Sequence, residues 1–192
     1  MVHDEGGRLT TEAGTLAPGV APRGWVERVR GSSWHTKGLA AFSALVVVHW
    51  AEHILQAIQL WVLGWELPEA RGAFGMLVPA LVREEWLHYG YNAAMLIGLL
   101  ALLYGFSGDA RKWWLITIGI QVWHHFEHLI LLIQAQTSPW FGEPVATSVV
   151  QLLVPRVELH LFYNSLATAP MIVAIVYHRR QQRRDSARGA PA

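Results

Sequence analysis

Cysteine is absent from the 192 residues. Disulfides and thiolate ligands are therefore excluded, and any metal this chain holds must take nitrogen and oxygen donors. Charge is scarce too: Asp, Glu, Lys and Arg make up 15% of the chain against 53% hydrophobic residues, a balance outside that of ordinary soluble domains. Also lacking is a short apolar stretch before residue 40 that ends in a small-residue cleavage site. No signal peptide is expected.

The apolar residues are concentrated in four stretches, Ala40 to Trp61, Trp86 to Phe106, Trp113 to Ile133 and His160 to Tyr177, each of bilayer-spanning length at roughly 18 to 22 residues. The expected fold class is an all-α integral membrane protein with four transmembrane helices. Basic residues cluster at Arg23, Arg28, Arg30 and Lys37, at Arg111 and Lys112, and at Arg179, Arg180, Arg183 and Arg184. By the positive-inside rule both termini and the middle loop face the cytoplasm of a bacterial-type inner or plasma membrane, and the two longer loops, Val62 to Glu85 and Gln134 to Leu159, face the other side. Trp61, Trp65, Trp86, Trp140, Trp113 and Trp114 fall near span ends as interfacial anchors do. Trp50 and Trp123 fall mid-span, where core packing competes with shielding of a site.

The polar residues inside these spans repeat. His49, Glu52 and His53 form H-x-x-E-H with Gln59 beyond, and His124, Glu127 and His128 form the same motif with Gln134 beyond. A second phrase follows each copy: Leu87, His88, Tyr91 and Asn92, then Leu159, His160, Tyr163 and Asn164. His49 to His124 is an offset of 75 residues and His88 to His160 one of 72. Two tandem helical hairpins are expected, repeat one over 38–107 and repeat two over 111–178. Two spans per repeat keep both copies in one orientation, which gives a parallel repeat and a pseudo-twofold four-helix bundle. A flexible segment over 1–37 and a basic cytoplasmic tail over 179–192 flank this 38–178 domain, with irregular chain expected from Gln181. The short apolar runs Gly72 to Arg83 and Val145 to Arg156 read as interfacial or re-entrant caps, being too short to span.

On an α-helix H-x-x-E-H places both histidines and the glutamate on one stripe, within about 60° of the first histidine. Gln59 and Gln134 fall near the glutamate azimuth, within hydrogen-bonding reach of it. Such groups inside a membrane are costly and mark function. Interhelical hydrogen bonding is the plain alternative, but six repeated histidines and two glutamates exceed that need. His49, His53, His88, His124, His128 and His160 supply three imidazoles for each of two metal ions, with Glu52 and Glu127 as bridges. This inventory favours iron, in the manner of carboxylate-bridged four-helix centres, with copper or zinc as alternatives. Asn92, Asn164, Gln59, Gln134, Glu85, Glu158 and His125 are expected to orient the ligands. Glu158 is out of register with Glu85, and the repeat counterpart of His125 is Trp50. Tyr91 and Tyr163 are placed to donate a hydrogen bond or a proton to the reacting group. His88 and His160 are expected up to a turn nearer the membrane boundary than His53. His3, His35 and His178 carry no assigned role.

The expected function is a non-haem dinuclear metal oxidoreductase that uses oxygen on a hydrophobic, lipid-like substrate entering from the membrane, with a redox partner. Divalent-metal or proton transport is a second reading, weakened by the apolar inner halves of the spans. H-x-x-E-H also occurs in inverted zincin hydrolases, although one zinc needs one copy. A metal-free lipid isomerase would use His and Glu as acid and base. Haem ligation leaves the paired His and Glu unexplained. The tail arginines suit anionic lipid and not nucleic acid.

Overall fold

The computed structural model describes residues 32–80 and 85–188. Arg23, Arg28, Arg30, Arg83, Glu84 and the first and last segments of the expected tails lie outside the described residues. Helix α1 spans Ser33–Ala57 and continues through a π-helical turn, Ile58–Val62. A short helix α2 (Gly72–Leu77) follows in the first long loop, then α3 (Trp86–Leu102), α4 (Gly108–Gln136) and α5 (Arg156–Arg188). No strand occurs among the described residues. Helices α1, α3, α4 and α5 are each long and apolar enough to cross a membrane.

Local chemistry sets several of the boundaries. Ser32 caps α1 by accepting from the His35 amide at 3.2 Å, a contact of about 1 kcal/mol. Between α3 and α4 the chain reverses over Phe106 and Ser107, and Gly108 sits at φ 54°, where a glycine is favoured. Just before the reversal Gly105 packs against His35, where a Cβ would overlap the imidazole ring.

The spans close into a ring in which α1 packs on α3 and α5, and α4 packs on α3 and α5. One end of the bundle carries the α3–α4 turn, the other the two long loops. Toward the short-turn end the interior is apolar: Leu39, Phe42, Val46, Met95, Leu99, Leu102, Phe106, Trp114 and Ile118 form one cluster. Phe42 lies on Gly98, where a Cβ would come within 2.6 Å of its ring. Trp114 stacks on Phe106 at 4.1 Å and donates its indole N–H to the Leu99 carbonyl at 2.8 Å. The outer surface is apolar as well, with Val47, Ile97 and Val122 at least half exposed. Toward the long-loop end, by contrast, the interior is built from buried His, Gln and Asn. Greasy outside and polar inside is the pattern of a membrane protein with an internal site.

Three expectations change. The helices extend beyond the apolar stretches, α1 starting at Ser33 and α5 at Arg156, and α5 runs unbroken to Arg188, so residues 181–188 are helical and not irregular. Trp114, expected near an interface, is fully buried. His35 and His178 are both buried, 5.1 Å apart between ring centroids, and His35 Nε2 lies 3.2 Å from the Leu102 carbonyl. They hold the short-turn end together, where Phe106 packs against both rings.

Candidate metal centre

Four helices deliver six imidazoles to one place. His49 and His53 come from α1, His88 from α3, His124 and His128 from α4, and His160 from α5, and none exceeds 7% exposure. Ring centroids are 4.5 Å apart for His49 and His53, 5.0 Å for His53 and His160, 4.9 Å for His128 and His160, and 6.0 Å for His88 and His128. His88 therefore does not stand a turn above the rest; it stacks 6.1 Å from His53.

The bonds to the other ring nitrogens decide where the lone pairs point. His160 Nδ1 lies 2.6 Å from the Arg156 carbonyl, which only accepts, so Nδ1 carries the proton and Nε2 presents a lone pair. His53 Nδ1 is likewise 2.9 Å from Gln56 Oε1, which leaves a lone pair on Nε2. His53 Nε2 and His49 Nε2 are buried with no hydrogen-bond partner. His88 Nδ1 lies 3.4 Å from the Glu85 carboxylate.

A sharper conflict sits in the second half of the chain. His128 Nε2 is 3.1 Å from His124 Nε2 and 3.2 Å from His160 Nε2. One ring nitrogen has one in-plane position, a proton or a lone pair, and cannot satisfy both neighbours. A cation can satisfy all three. His124, His128 and His160 present atoms within 4.8 Å of one another, the one such group among the described residues. Metal–nitrogen bonds of about 2.1 Å place ligand atoms about 3.0 to 3.4 Å apart, from right-angle to tetrahedral geometry. The two distances at His128 Nε2 fall in that range, and the residues present suit a metal ion.

The glutamates go elsewhere. Glu52 accepts from the Phe74 amide in α2 at 3.2 Å, and Glu127 accepts from Ser148 Oγ at 2.5 Å and from the Val150 amide at 3.3 Å. The glutamines one level further out do the same: Gln59 Oε1 takes the Gly72 amide at 2.9 Å, and Gln134 Oε1 takes the amides of Trp140 and Thr147 at 2.8 and 3.3 Å. Neither glutamine bonds a carboxylate. Each H-x-x-E-H helix thus tethers the long loop that follows it. Gly72, at φ 70°, is required here, because a Cβ would overlap the Glu52 carboxylate.

The remaining residues surround the cluster. Tyr163 stacks on His124 at 4.6 Å and accepts from Trp123 Nε1 at 2.7 Å, and Tyr91 lies 5.1 Å from His49. Asn164 contacts His49 on the short-turn side. Asn92 accepts from Gln121 at 2.7 Å. His125 is outside the cluster, against Tyr89 at 5.1 Å, and Glu158 Oε2 has no partner. Trp50, mid-span, ties α1 to α5 through Thr168 at 2.9 Å.

Sequence reasoning missed Arg156. Its guanidinium pairs with Glu85 across the bundle while its carbonyl fixes His160. An arginine opening a greasy span was the available signal. Glu85 holds a left-handed backbone, φ 60°, a conformation that costs a non-glycine residue roughly 1–2 kcal/mol. Burial alone would raise its pKa; Arg156 and His88 outweigh burial and hold it at about 2.

Comparison with protein-family models, with curated proteins and with solved structures returns no match.

Proposed function

We propose that this protein is a membrane-embedded metalloprotein whose six imidazoles hold two first-row transition-metal ions, and that it works as an oxidoreductase on a hydrophobic substrate. The observation that carries the reading is the convergence of His124, His128 and His160 through Nε2 atoms that protons alone cannot satisfy. His49, His53 and His88 are the three donors of the second ion. With Glu52 and Glu127 occupied by loop groups the donor set is all nitrogen, which favours copper; iron is the choice if the carboxylates leave the loops to bridge. The two hairpins place their tyrosines, glutamates and glutamines in matching roles, which supports a pseudo-twofold bundle, and the basic residues Arg111, Lys112, Arg179 and Arg180 at the opposite end support long loops on the outer side of the membrane. The apolar plug of Phe42, Leu99 and Trp114 supports a one-sided site over a transport path.

Two neighbouring ions supply two one-electron redox equivalents side by side. In the simplest balance the substrate loses two electrons and two protons, and dioxygen takes up all four to become hydrogen peroxide. The test is metal analysis of the purified protein with optical and paramagnetic spectra. Two copper or iron ions per chain without a haem band support the reading. Active protein free of metal overturns it.

A further inference from the structure

Immediately on the short-turn side of the imidazoles lies a cavity of about 20 Å³ that all four spans line. Its walls divide in two. Phe42, Val46, Met95, Leu99 and Met171 are apolar, whereas His49, Asn164, Gln121, Thr117 and Thr168 meet them with polar groups. A space of this size admits one or two water-sized bodies, far too little for a lipid chain. One of the polar groups is unfinished: Asn164 Nδ2 is buried and has no hydrogen-bond partner among the described residues. Asn164 is 5% exposed and His49 2%.

We infer that this cavity is a subsite for a neutral diatomic gas, dioxygen in the proposed reaction, held between the thioether and aromatic walls and the Asn164 amide beside His49. The inference rests on the oxidoreductase reading and adds where its small co-substrate waits. Physical chemistry favours the assignment on two counts. A nonpolar diatomic gains contact with Met95, Met171 and Leu99 that water would forfeit. The free Asn164 N–H is a donor for an oxygen atom as electron density builds on it. Ala167, at the cavity edge, is the position where added bulk would fill the space without touching a proposed ligand.

The chain supplies convenient reporters. Met95 and Met171 line the cavity, while Met76 is half exposed in the first long loop. With methyl-labelled methionine in the full-length protein, dissolved dioxygen is expected to enhance relaxation of the Met95 and Met171 methyls, and both Ala167→Val and Ala167→Leu are expected to abolish that enhancement. The wild-type measurement stands even if a variant fails to fold. No enhancement at Met95 and Met171 under oxygen, with magnetisation transfer from water instead, would overturn the inference and make the cavity a hydration site. Because this readout needs no metal, it separates from the metal analysis: oxygen occupancy without bound metal retires the oxidoreductase and leaves the gas subsite.

Discussion

The two halves of the chain write one motif and finish it differently. In the first half two of the three imidazoles lie against a neighbour outside the cluster, His53 against Gln56 and His88 against Glu85, and the Nε2 atoms of His49 and His53 stand apart with no hydrogen-bond partner among the described residues. In the second half, Leu131 stands where the first has Gln56, and His124, His128 and His160 touch through their Nε2 atoms. The lesson is that a repeated ligand set need not make repeated sites. Neighbours orient imidazoles in both halves, His53 through Gln56 and His160 through the Arg156 carbonyl, but only the second half brings its donor atoms together, so the second half should be the tighter.

That contrast can be broken experimentally. The largest effect is expected from His128→Ala, which removes the nitrogen shared by both close contacts; metal content should fall by at least one ion per chain, whereas His53→Ala should leave the second-half ion in place. Equal losses from the two variants in elemental analysis would erase the difference between the halves. Next comes Gln56→Leu, which gives the first half the residue of the second. Loss of the partner that fixes His53 should weaken one site by about 10–100-fold, read as a biphasic metal titration; an unchanged titration would mean Gln56 orients nothing.

Smaller effects belong to the loops. Glu127→Ala leaves the buried Ser148 hydroxyl and the Val150 amide without an acceptor, at about 1–3 kcal/mol of stability. Glu52→Ala frees only the Phe74 amide and should cost about 1 kcal/mol or less. Hydrogen exchange at Val150 and Phe74 should rank the same way, and the reverse order would contradict the tether geometry. The smallest effect is the acid limb set by Glu85. Its folded pKa of about 2 lies below the ordinary 4.5, so its stabilisation is complete above about pH 4.5 and is lost as pH falls toward 2. Glu85→Gln should flatten that part of a thermal-stability profile, and an unaltered acid limb would assign it to another carboxylate.

Much of this was readable in advance, for identifiable reasons. Four spans follow from apolar runs long enough to cross a bilayer, and the burial of six histidines follows from the cost of imidazole facing lipid. The gathering of His88 with His53 was not readable, because it depends on how far the helices slide along one another when they pack, and a span's start at Trp86 does not fix that. The destination of Glu52 and Glu127 was hidden for a different reason. Their partners are backbone amides, which every residue possesses, so no side-chain pattern announces them. Arg156 and Glu85 lie in different hairpins, and pairing them requires the closed ring of helices first.

Chain order gives that last ion pair a consequence for biogenesis. Glu85 reaches the membrane with the first hairpin, while Arg156 is synthesised only after α4. A chain that ends before the fourth span has Glu85 beside His88 but lacks the guanidinium that the finished fold sets against it. The pair therefore forms only once all four spans are in place, which makes it a mark of the completed bundle.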